Sequence, residues 1–271
     1  MKTIQSKILL SLIIIFFIVG FSVSAKSLIE YPVSVTAESE PGVSVTAITN
    51  PLAVVYPVNI QEYRLETKDY VKSFIKKKRD YIIYIFNKGK KFFPKAIDIL
   101  DDHNVPMELQ MIPVLESQFN ANAVSPAGAV GYWQFMSELA GEYGLHTGAK
   151  NDERKNFSKS TVAAAKFFRD QLDYFNEDLL LSVAAYNCGP GRVQSSIRKS
   201  GKKDANFWNI KKYLPFETRK FVMDFIAFNV IAANYDKFLN KTMDFTEPLL
   251  MQIAGNGDSS LRNDSLTVKA L

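Results

Sequence analysis

Cysteine and histidine are scarce in this sequence of 271 residues, which contains one cysteine, Cys188, and two histidines, His103 and His146. A single cysteine excludes an internal disulfide framework and any metal site built from several thiolates. Two histidines leave little room for a histidine-rich metal centre. We therefore expect no metal and no cofactor, and the chemistry must come from other polar side chains.

The sequence has no internal repeats, which are the usual sign of a repeat protein. It also has no series of alternating polar and apolar residues, which is the usual sign of a β-rich fold. The residues are 47% hydrophobic and 13% aromatic, which is typical of a globular chain rather than a disordered one. The length suits one medium domain with extensions, or two small domains. The apolar spacing predicts a mostly helical, all-α protein.

The first 25 residues have the features of a secretory signal peptide. Lysines precede an apolar run over residues 8–19, and Val23-Ser24-Ala25 offers small residues for cleavage. Removing this segment takes two lysines from a total of 33 basic and 28 acidic residues, so the net charge falls from +5 to +3. We predict export to the periplasm or cell envelope and no nucleic-acid partner. An uncleaved N-terminal anchor is the alternative, and only that alternative brings membrane contact.

Changes in composition divide the chain into segments. Prolines and small polar residues give way to aromatics and lysines at helical spacings, and the sequence turns polar again near its C-terminus. We predict, in order, a signal peptide at 1–25, a linker or loosely packed extension at 26–60, an N-terminal helical region at 61–105, a main helical domain at 106–240 and a mobile tail at 241–271.

Caps and breakers predict where individual helices begin and end. Gly89 and Pro94 divide the N-terminal region into at least two helices. Ser158 is a candidate cap for a later helix, because its hydroxyl can accept a backbone hydrogen bond. Asp178–Asn187 is predicted to be a short apolar helix, and Pro215 to open a long one.

Glu116 has an unusual position for a charged residue. A helix opened by Pro106 places four residues on one face, the face that the core requires: Leu109, Ile112, Glu116 and Phe119. Burial disfavours the carboxylate and raises its pKa, which suits a general acid acting on a glycosidic oxygen. A buried glutamate paired with an arginine, such as Arg154 or Arg192, is the alternative. Pro113 predicts a local kink in this helix.

Two further segments have side chains suited to a ligand site. A glycine-rich loop leads into Trp133 and Gln134, and an aromatic ring followed by an amide suits sugar binding. The second segment ends an apolar helix with Tyr186 and Asn187, which offer a hydroxyl and an amide. An ordinary loop with a packed tryptophan, and a core tyrosine, are the alternatives. We expect Cys188 to be a small packed residue rather than a nucleophile.

Taken together, these motifs resemble those of the lytic transglycosylases with a soluble-lytic-transglycosylase catalytic domain, most closely the membrane-bound lytic murein transglycosylase D type. The resemblance covers about residues 61–238 and implies a lysozyme-like catalytic domain at 106–240, with an N-terminal helical extension. It rests on five segments that occur in the family's order: Glu116-Ser117, Ala127-Gly128-Ala129-Val130-Gly131-Tyr132-Trp133-Gln134-Phe135-Met136, Tyr143-Gly144-Leu145, Ala184-Ala185-Tyr186-Asn187-Cys188-Gly189-Pro190-Gly191-Arg192-Val193 and Leu214-Pro215-Phe216-Glu217-Thr218-Arg219.

The resemblance implies that the chain cleaves the β-1,4 bond between N-acetylmuramic acid (MurNAc) and N-acetylglucosamine (GlcNAc) in peptidoglycan glycan strands. Glu116 would protonate the leaving oxygen and then act as base while the muramyl C6 hydroxyl attacks C1, which gives a 1,6-anhydro product. Ordinary glycosidases place two carboxyl groups across the bond, but no second carboxylate accompanies Glu116 in any of these motifs. An intramolecular hydroxyl as nucleophile accounts for its absence.

The resemblance also implies substrate-binding roles. Ser117 would hydrogen-bond Glu116 or the sugar, and Asn187 would hold the substrate. Trp133 and Gln134 would line the sugar subsites. Tyr186 would orient the acetamido group or Glu116. Glu217 would have either a substrate-binding or a structural role.

Several alternatives to a lytic transglycosylase stay open at the level of sequence. One is a lysozyme-like muramidase that uses water as the nucleophile. Another is an inactive wall-binding protein that has kept the fold. A third is a polyanion-binding module using the lysines of residues 72–95, although the basic run at 76–79 is more typical of a solvated helix face. Nothing in the sequence predicts the oligomeric state.

Overall fold

The computed structural model describes residues 51–246. The predicted signal peptide, residues 26–50 of the predicted extension and residues 247–271 of the predicted tail lie outside this range. The described residues are mainly helical, which confirms the predicted all-α class. The α-helices are, in chain order, α1 (Arg64–Gly89), α2 (Phe93–Asp102), α3 (Ile112–Glu116), α4 (Ser137–Glu142), α5 (Phe157–Tyr174), α6 (Leu179–Cys188), α7 (Pro190–Ser200), α8 (Phe207–Ile210), α9 (Phe216–Ala233) and α10 (Tyr235–Asn240).

Short elements connect these helices. Two strands of two residues each, β1 (Thr147–Gly148) and β2 (Asn151–Asp152), pair antiparallel. Within residues 51–246, no helix combines the length and the apolar composition that a membrane span requires. The 3₁₀ helices are Val58–Tyr63, Met107–Met111, Glu153–Lys155 and Lys211–Tyr213.

Helices α6 and α9 form the centre of the molecule. Every residue from Leu179 to Ala185 in α6, and from Val222 to Ala232 in α9, is buried. A helix that is buried on all sides must be surrounded by other elements. The two helices pack against each other, α1 packs on α9, α5 and α7 pack on α6, and α2 packs on α5.

Aromatic side chains join the N-terminal helical region to the main domain. The ring of Phe86 in α1 stacks on Tyr235 at 4.9 Å between centroids and lies 6.2 Å from Phe228 of α9. Phe74 meets the same Phe228 ring edge-on at 5.2 Å. The predicted segments 61–105 and 106–240 therefore share one hydrophobic core.

The ends of the described range pack together, which differs from the expected loose extension and mobile tail. The backbone N–H of Val54 donates to the carbonyl of Asp244, and the Asp244 N–H donates to Leu52, both over 2.8 Å. The buried side chain of Asn234 accepts from the Val55 N–H over 2.9 Å and donates to the Val55 carbonyl over 2.6 Å. Residues 51–60 and 241–246 are thus parts of the packed structure, because buried polar groups there find partners in each other.

The basic run in α1 has partly structural contacts. Helix α1 is kinked at Lys78, where φ is −129° and ψ is 19°. Arg79 donates to the carbonyls of Phe238 (2.8 Å) and Leu239 (2.9 Å), and so adds hydrogen bonds at the end of α10. The ammonium of Lys78 lies 4.7 Å from the centre of the Phe74 ring. These contacts favour a helix face over a dedicated polyanion site.

Most predicted helix ends agree with the structure. Helix α1 ends at Gly89, and Asp178 caps α6 by accepting the Leu181 N–H over 2.8 Å. The predicted cap of α5 was wrong, because Asn156 rather than Ser158 accepts the N–H of Lys159 there, over 3.1 Å. An asparagine two residues earlier fills the same role, since its side-chain oxygen reaches the first turn equally well.

Candidate active site

The segment that carries Glu116 is not the single helix predicted from Pro106. A 3₁₀ helix over Met107–Met111 passes into α3, which ends at Glu116. Pro113 lacks an N–H, so it cannot donate the helical hydrogen bond to residue 109. The chain therefore adopts the tighter 3₁₀ geometry before the proline and only one turn of α-helix at and after it.

The chain turns sharply after Glu116. The carbonyl of Pro113 accepts the backbone N–H groups of Ser117 (3.2 Å) and Phe119 (3.3 Å), which ends the helix. Gln118 and Phe119 follow with φ of 54° and 55°, a conformation that non-glycine residues adopt at a cost. Phe119 is buried as predicted, but it reaches the core from this turn and not from the helix face. Glu116 is thus the last helical residue before a strained turn.

The carboxyl group of Glu116 has no charged partner. Burial alone raises its pKa to about 7, and no described residue contributes a charge that lowers it. Arg154 is paired with Asp152 over 2.8 Å and donates a second bond to the Phe135 carbonyl over 3.0 Å. The alternative of a glutamate paired with Arg154 is therefore wrong, and Arg192 is not among the influences on the Glu116 pKa. Glu116 as a whole residue is partly exposed to solvent.

Tyr186 lies beside Glu116. The charge of Glu116 contributes, after burial, to raising the pKa of the Tyr186 hydroxyl. This hydroxyl donates a short hydrogen bond to the backbone carbonyl of Trp133. The ring stacks on Phe168 with centroids 5.0 Å apart. Packing and hydrogen bond together fix Tyr186 between the end of α6 and the loop that carries Trp133.

Trp133 is placed differently from the expected sugar subsite. Its side chain has no exposed surface, and its indole N–H donates to the Thr161 hydroxyl over 3.0 Å. A ring buried on every side cannot touch a sugar, so in this structure the expected contact is replaced by packing against α5. Trp133 contributes to the site through its backbone carbonyl, which accepts the hydrogen bond from the Tyr186 hydroxyl.

Gly131 shapes the loop that precedes Trp133. The glycine has φ of 85°, and a Cβ atom there would lie 2.0 Å from the carbonyl oxygen of Arg154. No other residue fits, because both the backbone conformation and the space exclude a side chain. The side-chain amide of Gln134 donates to the carbonyls of Ala123 (3.1 Å) and Gly131 (2.9 Å). Gln134 is only partly buried, so it braces the loop and still borders solvent.

Ser117 and Asn187 hold positions on either side of this loop. The hydroxyl of Ser117 is buried and lies 2.7 Å from the Tyr132 carbonyl, to which it donates, rather than on Glu116. Asn187 is exposed at the end of α6, and its side-chain oxygen accepts the Thr218 hydroxyl over 2.8 Å. The Asn187 amide nitrogen points to no described acceptor in this structure. The structure thus orients Asn187 through α9 and leaves its amide group facing outward.

Glu217 and Cys188 have no hydrogen bond or ion pair with Glu116 in the described structure. Glu217 is exposed in the first turn of α9, and no contact in the described structure ties it to the other candidate residues. Burial raises the pKa of the Cys188 thiol, which keeps it protonated. This agrees with a packed residue rather than a nucleophile. Among residues 51–246, no group of histidine, cysteine and acidic side chains is arranged to hold a metal ion.

Sequence reasoning missed the residues that hold the site in place. Thr161 supports Trp133, Thr218 orients Asn187, and Asp152 pairs with Arg154. Only Thr218 gave a signal, since it lies within the segment 214–219 of the resemblance. The geometry that results is a carboxyl group at the end of a helix, with the fixed Tyr186 hydroxyl as its neighbour. Such a group can donate a proton and take one back.

Comparison with known proteins identifies this region. Residues 98–209 match the family described as the transglycosylase SLT domain. The chain is 33% identical to the membrane-bound lytic murein transglycosylase D of Escherichia coli strain K12 over 180 residues, which are 66% of this chain and 37% of that protein. The chain thus spans little more than a third of the length of this relative.

Solved structures with a similar backbone are also lytic transglycosylases by name. The lytic transglycosylase Slt of Pseudomonas aeruginosa has 23% identity and a TM-score of 0.44, over 54% of this chain and 24% of that chain. The 70 kDa soluble lytic transglycosylase of Escherichia coli has 20% identity and a TM-score of 0.43, over 70% of this chain and 32% of that chain. The family match over residues 98–209 and the relative at 33% identity agree with the resemblance found in the motifs: this region of the chain is similar to a transglycosylase SLT domain.

Proposed function

We propose that this chain is a peptidoglycan lytic transglycosylase that cleaves the MurNAc–GlcNAc β-1,4 bond and forms 1,6-anhydro-MurNAc. The observation that carries the proposal is Glu116, a buried carboxyl group without a charged partner, inside the segment that matches the SLT domain. Its pKa of about 7 keeps a large fraction protonated near neutral pH, as a general acid requires.

The reaction needs one carboxyl group and no water. Protonated Glu116 gives its proton to the glycosidic oxygen while the bond from that oxygen to the muramyl C1 breaks. The resulting carboxylate then takes the proton of the muramyl C6 hydroxyl as the C6 oxygen bonds to C1. Glu116 is protonated again at the end, so the group is ready for the next bond. The nearness of the C6 hydroxyl to C1 within one sugar supplies the advantage of an intramolecular attack.

The residues around Glu116 have supporting roles in this proposal. Asn187 holds the substrate through its exposed amide, and Gln134 borders the sugar subsite while it braces the loop. Tyr186 positions the loop beside the reacting carboxyl group. Ser117 stabilises the turn after Glu116. Glu217 binds glycan at the exposed start of α9.

The proposal extends to the chain as a whole. We infer a signal peptide at 1–25, export to the periplasm or cell envelope, and peptidoglycan glycan strands as the partner. The helical region 61–105 supports the catalytic domain at 106–240 through the shared core. A positive net charge of +3 after loss of the signal suits an anionic wall.

The test uses the purified full-length chain and its Glu116→Gln variant on isolated peptidoglycan. We expect the wild type to release 1,6-anhydro-muropeptides, and the variant to bind the wall without releasing them. Release of muropeptides with reducing-end muramic acid would assign the chain to the muramidases. Wall binding without release by the wild type would make it a binding protein, and both results would overturn the proposal.

A further inference from the structure

A cavity of about 510 Å³ lies where α7, α8, the 3₁₀ helix Lys211–Tyr213 and the first turn of α9 meet. No acidic residue of the described chain lines it. Its walls hold four basic side chains and two aromatic rings: Lys202, Lys211, Lys212, Arg219, Trp208 and Tyr213. We call it the basic pocket.

The positive charges of the basic pocket repel one another. Lys211 is half-buried, and its pKa is lowered first by burial and then by the charge of Arg219. No ion pair of the described structure involves Lys202, Lys211, Lys212 or Arg219. Two cations held together away from a counter-charge destabilise the fold, and a bound anion would remove that cost.

Hydrogen-bond donors at the basic pocket also lack acceptors. The Nε atom of Arg219 and the Nε1 atom of Trp208 are buried, and neither has a partner among the described residues. Buried donors without partners are rare in folded proteins and indicate a missing acceptor. Both atoms are enclosed by the protein, so the positive charge that the pocket surface presents to a ligand comes from its lysines.

The aromatic rings hold the lysines without neutralising them. The ammonium of Lys211 lies 4.6 Å from the centre of the Trp208 ring, and that of Lys212 lies 4.9 Å from the Tyr213 ring. Such contacts orient a cation but leave its charge available to an anion. The pocket therefore offers oriented positive charge next to apolar ring surface.

The basic pocket is close to the candidate active site in the chain and in space. Arg219 follows Thr218, whose hydroxyl donates to Asn187 over 2.8 Å. Asn187 in turn follows Tyr186, the neighbour of Glu116. We expect a ligand that extends from Asn187 across the first turn of α9 to reach Arg219 at the edge of the basic pocket.

We propose that the basic pocket binds the free carboxylates of the peptide that peptidoglycan carries on its muramyl residues. The ligand identity rests on the proposed function, whereas the capacity to bind an oxyanion follows from the pocket itself. A peptide carboxylate fits better than a bare phosphate, because the aliphatic part of an acidic side chain can pack on Trp208 and Tyr213. The glycan would then be held at Asn187 and its peptide at the basic pocket.

The test is a calorimetric titration of the full-length chain with the disaccharide GlcNAc–MurNAc carrying a tetrapeptide. This compound lacks the bond that the proposed reaction breaks, so the wild type can be used. The same compound with its peptide carboxylates converted to amides, and inorganic phosphate, are the comparison ligands. Lys211→Gln and Lys212→Gln remove a charge from the pocket, and Lys166→Gln on the exposed side of α5 is the control of equal charge change.

We expect Lys211→Gln and Lys212→Gln each to weaken binding of the acidic compound about tenfold, and Lys166→Gln to leave it unchanged. Amidation should weaken binding to the wild type by a similar factor. Without ligand, Lys211→Gln should melt no lower than the wild type, because one of two repelling charges is gone. That result separates loss of a binding site from loss of the fold.

Equal affinity of the wild type and both pocket variants would overturn the proposal. If the pocket variants lost affinity for phosphate but bound the muropeptide as tightly as the wild type, the peptide would not be the ligand of the basic pocket. Cleavage of peptidoglycan is measured separately and decides only the proposed function. The two assays therefore distinguish a chain that cleaves peptidoglycan but does not bind peptide carboxylates in the basic pocket from a chain that binds the acidic peptide but does not cleave.

Discussion

Tyr186 and Glu116 are neighbours that interact electrostatically but form no hydrogen bond with each other. The charge of Glu116 raises the pKa of the Tyr186 hydroxyl, yet that hydroxyl donates to the backbone carbonyl of Trp133. The tyrosine therefore fixes the wall of the site without stabilising the carboxylate. Glu116 keeps a pKa of about 7 because nothing in the described structure offsets its burial.

Glu116→Gln should stabilise the fold at neutral and alkaline pH. The raised pKa means that the folded chain holds a proton that the unfolded chain has released. Wild-type stability therefore declines as the pH rises from about 4.5 to about 7, and it levels off above that. We expect the variant to match the wild type near pH 4 and to exceed it by about 3 kcal/mol at pH 8.

Urea unfolding at both pH values measures this difference. The exposed Glu142→Gln, at the end of α4, is the control and should change little at either pH. A Glu116→Gln variant that is less stable than the wild type at pH 8 would show that the carboxylate has a stabilising partner.

The rate of cleavage should fall at alkaline pH. Glu116 must be protonated to act as the acid, so kcat/KM on soluble glycan strands should decrease above pH 7, by about tenfold for each further unit. The midpoint should lie near 7, the pKa of Glu116 in the free enzyme. A rate that stays constant up to pH 9 would contradict the assignment of Glu116 as general acid.

Tyr186→Phe should damage both the loop and the reaction. The variant keeps the ring stacked on Phe168 but leaves the Trp133 carbonyl without its donor. We expect a loss of about 1–2 kcal/mol in unfolding free energy, and a kcat lower by about tenfold because the loop no longer fixes the site. Tyr143→Phe is the matched control, since its hydroxyl donates to the exposed Asp170. Equal effects of the two variants would remove the special role of Tyr186.

Thr161→Val tests whether Trp133 serves packing or sugar contact. The change leaves the buried indole N–H without its acceptor, which should cost about 1–3 kcal/mol. Because the ring is fully buried, KM for glycan should stay within about twofold of the wild type where both are folded. A raised KM with unchanged stability would instead place Trp133 in contact with the sugar.

Thr218→Val should act through Asn187. Loss of the hydroxyl frees the Asn187 side chain to rotate, so KM should rise several-fold while the fold is kept. Asn187→Ala should have an equal or larger effect, and the double variant should be no worse than Asn187→Ala alone. Additive effects of the two substitutions would mean that Thr218 does not position Asn187.

The fold was largely predictable because its signals are local. The apolar run of α6 is bounded by Asp178 and Gly189, and α9 follows Pro215, so both central helices can be predicted from the sequence alone. Burial of Phe119 followed from its spacing. Side-chain periodicity, however, does not report backbone hydrogen bonds, so the sequence predicted one helix kinked at Pro113 and not a 3₁₀ helix that passes into α3 after Met111.

The burial of Glu116 was predictable from the sequence, but the residues that support the candidate site were not. Glu116 stood out because a charged residue occupied a face that the core required. The burial of Trp133 depends on Thr161, 28 residues further along the chain, and the orientation of Asn187 depends on Thr218, 31 residues further along. Contacts over such separations are set by helix packing, which a single sequence does not encode in any local pattern.

Digestion of peptidoglycan in water enriched in heavy oxygen tests the central claim most directly. If Glu116 works with the substrate's own C6 hydroxyl, the purified wild type releases anhydro-muropeptides that are one water lighter than hydrolytic products and carry no heavy oxygen. Products with a reducing-end muramic acid that contains heavy oxygen at C1 would show that water is the nucleophile, and would contradict the account.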